Sequence, residues 1–169
     1  MHLRSLLLTF ILAGIAASCS TSHEEVIPLD DRSLLEQSSQ MEIFALHPNR
    51  HSDEGKPKGA DDDFHGYRIL DRARLDDAKE RKRLVSLVYQ GIDKSNGMVA
   101  ACFDPRHGIR ARNGDQVVDL VICYECLQIH LHRSTDGDGA DESALTSETV
   151  EPAVTRIFEA HGLKIHRGH

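Results

Sequence analysis

The Asn113-Gly114 pair constrains this chain more than any other feature. Asn-Gly between two β-prone arms is the strongest short hairpin signal in a sequence; here an alternating arm precedes it and the apolar arm QVVDLVIC follows it. With Asn113 and Gly114 as the two turn residues, Arg112 pairs with Asp115, Ile109 with Val118 and His107 with Leu120. Ile109, Val118, Leu120 and Ile122 then face the core. Arg110 and Arg112 share the other face with Asp115 and Asp119, as cross-strand pairs worth a few tenths to about 1 kcal/mol each. Continuing the register past Pro105, a residue that breaks or bulges a ladder, brings Cys102 to the end of the hairpin that carries Cys123 and Cys126. Residues 98–126 thus gather three of the four cysteines at one place.

The flanking sequence reads as scaffold. Residues 41–47 (MEIFALH) are apolar at both parities, which suits a strand buried on two faces and stopped by Pro48. Residues 49–63 form a polar loop, and residues 64–70 (FHGYRIL) a second strand with Gly66 inside it. Residues 72–92 carry the long helical pattern. Leu75, Ala78, Val85, Val88 and Ile92 lie on one of its faces, Leu84 and Leu87 widen that face, Asp71 is a possible cap, and Asn96-Gly97 ends the unit. The charged run 79–83 is read as the solvated side of that helix in preference to a lipid-binding surface.

Residues 127–132 (LQIHLH) alternate cleanly. Leu127, Ile129 and Leu131 face the core, and His130 and His132 share the other face, read as an exposed polar side in preference to a metal pair. Residues 134–142 (STDGDGADE) form a surface loop, because a calcium register opened by Asp136 would put Asp141 at the Gly position and Ser147 at the closing Glu position. Residues 150–161 form a shorter helix, with Pro152 in its first turn and Gly162 past its end. The expected fold is α+β, an antiparallel sheet of about six strands packed against one long and one short helix.

The amino terminus gives an address. Arg4, the apolar run LLLTFILAGI and the small residues Ala16, Ala17 and Ser18 make a secretory signal peptide over residues 1–18, since a permanent bilayer span needs roughly 20 apolar residues. The small-residue run ending at Cys19 resembles a bacterial lipobox, with Ala16 where Leu is usual. That resemblance implies diacylation of Cys19 and a mature chain held on a membrane; Ser20, where an inner-membrane retention signal often has Asp, implies the outer membrane in a double-membraned envelope. Residues 19–40 then follow as the lipidated cysteine and a flexible tether, and residues 41–169 as a single α+β domain. The chain carries a formal charge of −7, and loss of the signal peptide with its single Arg4 leaves about −8, which disfavours a nucleic-acid partner. A secreted context makes disulfides stable.

Three readings compete for the central stretch. A disulfide from Cys102 to Cys123 or Cys126 would pin the hairpin end by roughly 2 to 4 kcal/mol and leave one odd thiol. A zinc site from Cys102, His107, Cys123 and Cys126 has the right donor types. A regular strand, however, throws Cys123 and Cys126 to opposite faces, and the alternating LQIHLH argues against a thioredoxin-like use of the pair. Third, Arg106-His107-Gly108-Ile109-Arg110 resembles the RHGxR signature of histidine acid phosphatases. This would make His107 a nucleophile and Arg106 and Arg110 phosphate ligands, although Arg112 stands where that family has Pro and the chain is short for its α/β domain. The mature chain, through FHGYRIL, ACFDPRHGIR and VDLVICYEC, also resembles small secreted proteins and lipoproteins of environmental bacteria, which implies a shared fold and attaches no activity to it. The expectation is a lipid-anchored envelope protein, a non-enzymatic structural or binding protein without cofactor, with zinc binding and phosphoryl transfer as the alternatives.

Overall fold

The computed structural model describes residues 22–50, 62–133 and 142–166. The expected signal peptide, Cys19, most of the 49–63 loop and the 134–141 stretch lie outside them. Among the described residues seven antiparallel strands form one sheet in the order β2-β3-β1-β4-β5-β6-β7. They are β1 (Gln40–Arg50), β2 (Asp63–Phe64), β3 (Tyr67–Arg74), β4 (His107–Asn113), β5 (Gln116–Cys123), β6 (Gln128–Arg133) and β7 (Glu142–Leu145). Among the described residues four α-helices accompany them: α1 (His23–Val26), α2 (Leu29–Gln37), α3 (Ala78–Asp93) and α4 (Glu151–Ala160). The class is α+β as expected, with more strands and helices than the sequence pattern resolved.

The main core lies between one face of the sheet and the helices. Met41, Ile43, Ile109, Leu120, Ile122 and Ile129 from the strands meet Leu35, Leu84, Val88, Val154 and Phe158 from the helices. β1 sits between β3 and β4 and is buried on both faces, with Phe44 and Leu46 in a second, smaller cluster on the opposite side. Pro48 does not stop this strand. β4 pairs with Gln40 to Ala45 of it and the Leu46 N–H donates to Arg106 O at 3.0 Å, so Pro48 comes after this pairing ends, where a missing N–H donor is tolerated.

Other expected boundaries move for identifiable reasons. FHGYRIL divides into β2 and β3 at a tight turn, His65 and Gly66, with φ of 55° and 87°. The Asp63 carboxylate accepts the Gly66 N–H at 3.0 Å. The long helix starts at Ala78, not Arg72, because Arg72, Ala73 and Arg74 are held in β3 by pairing with Phe44, Ile43 and Glu42. Asp77 is its cap in place of Asp71, accepting the N–H groups of Lys79 at 2.7 Å and Glu80 at 2.9 Å. The hairpin turn lies one residue later than Asn113-Gly114 suggests. Asn113 pairs with Gln116 and Arg110 directly with Asp119, and Gly114, with φ 59°, takes the first turn position, where a II′-type turn needs glycine. Both strands slip together, so Ile109, Val118, Leu120 and Ile122 keep the core face and Arg110 and Asp119 the other, while Asp115 moves into the turn and Arg112 pairs with Val117 in its place.

The largest correction concerns the tether. Residues 23–37 form α1 and α2 and are docked: Ile27, Leu34 and Leu35 are buried in the main core. The buried Asp31 carboxylate accepts Arg133 Nε at 2.9 Å, joining α2 to β6, and His23 Nδ1 lies 2.9 Å from Asp93 Oδ1 at the end of α3. Two short helices with adjacent leucines show no clear 3.6-residue period, and tertiary contacts define them.

Candidate functional site

The sheet face turned away from the main core carries the chemistry. The extended segment before β4 crosses its β5–β6 end and is pinned there at several points. The Ala100 N–H donates to Cys126 O at 3.2 Å, and Gln128 Nε2 donates to Ala100 O at 3.0 Å. The Phe103 ring stacks on His130 at 3.8 Å, and Tyr67 Oη donates to Phe103 O at 3.3 Å. These contacts fix where Cys102 and Asp104 sit.

β5 delivers Cys123 to the same place, and residues 124–127 then turn sharply, with Leu127 at φ 58° and its N–H on Tyr124 O at 3.3 Å. This turn overcomes the objection that a strand separates the two cysteines, and Cys123 and Cys126 form a disulfide. The expected bond from Cys102 is therefore corrected: Cys102 is the free, exposed thiol, with its Sγ 3.0 Å from Cys126 Sγ. The disulfide beneath it is buried. Backbone N–H groups point at both of its sulfurs, Asp104 N–H on Cys126 Sγ at 3.3 Å and Cys126 N–H on Cys123 Sγ at 3.1 Å. An exposed thiol against a disulfide sulfur is the starting geometry for thiol–disulfide exchange, and N–H donors stabilise the thiolate that leaves. The two sulfurs Cys102 and Cys126 and an Asp104 carboxylate oxygen also lie within 4.8 Å of one another.

His107 does not join this cluster, which corrects the four-ligand zinc set. Its side chain enters the main core, with Nε2 3.0 Å from Thr155 Oγ1 on α4 and its ring edge-on to Tyr124 and Phe158. Burial, with the nearby Arg106 charge, pushes the imidazole pKa down to about 3, so it is neutral at physiological pH. The phosphatase-like set also disperses. Arg106 reaches Glu125 at 2.8 Å, while Arg110 lies on the opposite face of β4 and grips Asp119 with Nε at 2.8 Å and Nη2 at 2.6 Å. No common phosphate position serves all three. Gly108 has a packing reason instead, since a Cβ there would lie 2.8 Å from the Phe64 ring that stacks on Phe44.

A further group on this face has no motif in the sequence. Asp119, buried at 3% exposure, receives Arg110 and lies 2.7 Å from His65 Nε2, and the His65 ring stacks on His132 at 3.8 Å. Burial opposes ionisation of Asp119, but the bonds from Arg110 and His65 outweigh it and hold the carboxyl below the usual range. Arg110 and Asp119 could be read from strand parity, whereas His65 arrives from a turn that parity does not describe. Among the described residues, no helix is long and apolar enough to cross a membrane. No protein-family model matches the chain, and none of the curated proteins or solved structures compared with it does.

Proposed function

We propose that this chain is a secreted envelope protein, anchored by lipid on Cys19, whose domain exchanges disulfides with a thiol partner through Cys102. The address rests on the signal peptide and the small-residue run before Cys19. The observation carrying the activity is the 3.0 Å approach of the exposed Cys102 Sγ to a sulfur of the Cys123–Cys126 disulfide.

Exchange needs three displacements. The Cys102 thiolate attacks Cys126 Sγ; a Cys102–Cys126 bond forms and Cys123 leaves as a thiolate, accepting the Cys126 N–H. A thiolate of a partner dithiol then attacks the exposed Cys102 Sγ, giving a mixed disulfide and releasing the Cys126 thiolate. The partner's second thiolate attacks its own half of that bond and frees Cys102. The partner is oxidised by two electrons, and the two thiols of the former Cys123–Cys126 bond are the reduced product. Cys102 is the port, and the buried pair is the electron store.

Peptide mapping under non-reducing, alkylating conditions tests this. Both Cys123–Cys126 and Cys102–Cys126 linkages are expected in the wild-type protein. Reduction by dithiothreitol should be at least about tenfold slower in Cys102→Ser. A single Cys123–Cys126 linkage with equal rates in the two proteins would make the disulfide a structural staple and the domain non-enzymatic.

A further inference from the structure

We infer that reduction of the Cys123–Cys126 bond turns the same cluster into a site for a zinc-class divalent ion, held by Cys102, Asp104, Cys126 and Cys123. The inference rests on reading the cluster as one that cycles between oxidised and reduced forms. Three ligand atoms already lie within 4.8 Å of one another on a segment pinned at Ala100 and Phe103. Tetrahedral zinc with metal–sulfur bonds of about 2.3 Å separates its sulfurs by about 3.8 Å. The Cys102 and Cys126 sulfurs, now 3.0 Å apart, would open by less than an ångström, and Cys102 has the exposure to do so. Cys123 is freed next to them, since it is the other half of the broken bond.

The donor set selects the ion. Thiolates discriminate against calcium and magnesium, and one carboxylate beside three thiolates suits zinc or its spectroscopic substitute cobalt(II). The N–H groups of Asp104 and Cys126, already directed at two of the sulfurs, offset part of the thiolate charge. A dithiol supplies the two electrons and two protons that convert the disulfide to two thiols and is itself oxidised to a disulfide. The metal then displaces the protons of Cys102, Cys123 and Cys126. A sulfur in the disulfide has no thiolate to offer, so oxidation and metal binding exclude each other. Zinc should therefore slow oxidation of the cluster, and oxidation should expel zinc.

Cobalt(II) titration of the full chain tests this, with the protein reduced anaerobically by a phosphine and Cys19→Ser run in parallel so that the fourth thiol is not counted. The expected result is a one-to-one, thiolate-to-cobalt absorption band that zinc abolishes, that the oxidised protein never shows, and that needs at least about tenfold more metal in Asp104→Asn. Absence of the band in reduced protein that keeps its native circular dichroism overturns the inference. So does an unchanged affinity in Asp104→Asn together with Cys102→Ser. Disulfide mapping in chelator-treated buffer is independent of metal: two linkages without a cobalt band would sink the metal site alone, and a cobalt band with one fixed linkage would sink the exchange reaction alone.

Discussion

The two faces of the sheet are built from the same strands and do different work. On the helix-covered face, His107, Ile109, Ala111, Leu120 and Ile122 are buried, and burial keeps the one imidazole among them neutral beside Thr155 of α4. On the other face, the alternate residues Gly108, Arg110, Asp119 and Cys123 meet rings, charges and sulfurs. The β4–β5 hairpin thus carries stability on one parity and chemistry on the other. Strand alternation turns Cys123 away from the main core, while its neighbour Tyr124 is buried in that core.

The separation can be tested by substitution on each face. The largest effect is expected on the covered side: Phe158→Ala should cost about 3–5 kcal/mol in urea unfolding. A loss below about 1 kcal/mol would mean that α4 is not part of the cooperative core. On the open side, Asp119→Asn leaves Arg110 and His65 without their carboxylate and should cost about 2–3 kcal/mol, less than a fully buried pair because Arg110 is partly solvated. A double-mutant cycle with Arg110→Met that returns a coupling near zero would reduce this group to ordinary surface charges.

The smallest expected effect concerns pH. The folded protein keeps His107 neutral down to about pH 3, whereas the unfolded chain binds that proton below its ordinary value of 6.5. The unfolded state therefore holds more protons in this window, and stability falls as pH falls: complete above pH 6.5, reduced by about 2 kcal/mol at pH 5 and lost progressively toward the folded value. Unfolding free energies measured at pH 7.5 and 5 should differ by that amount more in the wild-type protein than in His107→Gln. Equal differences in the two would show that His107 is not shielded by the core.

Much of this division was legible in the residues. Parity placed Ile109, Leu120 and Ile122 inward and Arg110 and Asp119 outward, and it survived the one-residue displacement of the turn because both strands slipped together. The gathering of three cysteines was also readable, since it needs only a hairpin and a returning segment. Their pairing was not, because it depends on a sharp turn at residues 124–127 with Leu127 in a conformation for which a sequence would normally show glycine. His107 misleads for a similar reason. A histidine between two arginines suggests an exposed anion site, while strand alternation sends the imidazole and Arg110 to opposite faces. The docked helices at residues 23–37 were invisible because the ion pair holding them, Asp31 with Arg133, spans more than half the chain.

That docking limits how far the protein reaches. With Cys19 acylated as proposed, α1 begins at His23, and four residue steps of at most about 3.6 Å allow no more than about 14 Å between the lipid-bearing residue and the domain. A long leash would let Cys102 sample the surrounding space. On that proposal this short one would keep the domain against the membrane surface, and a thiol partner of the cluster would have to work within a domain's width of the bilayer.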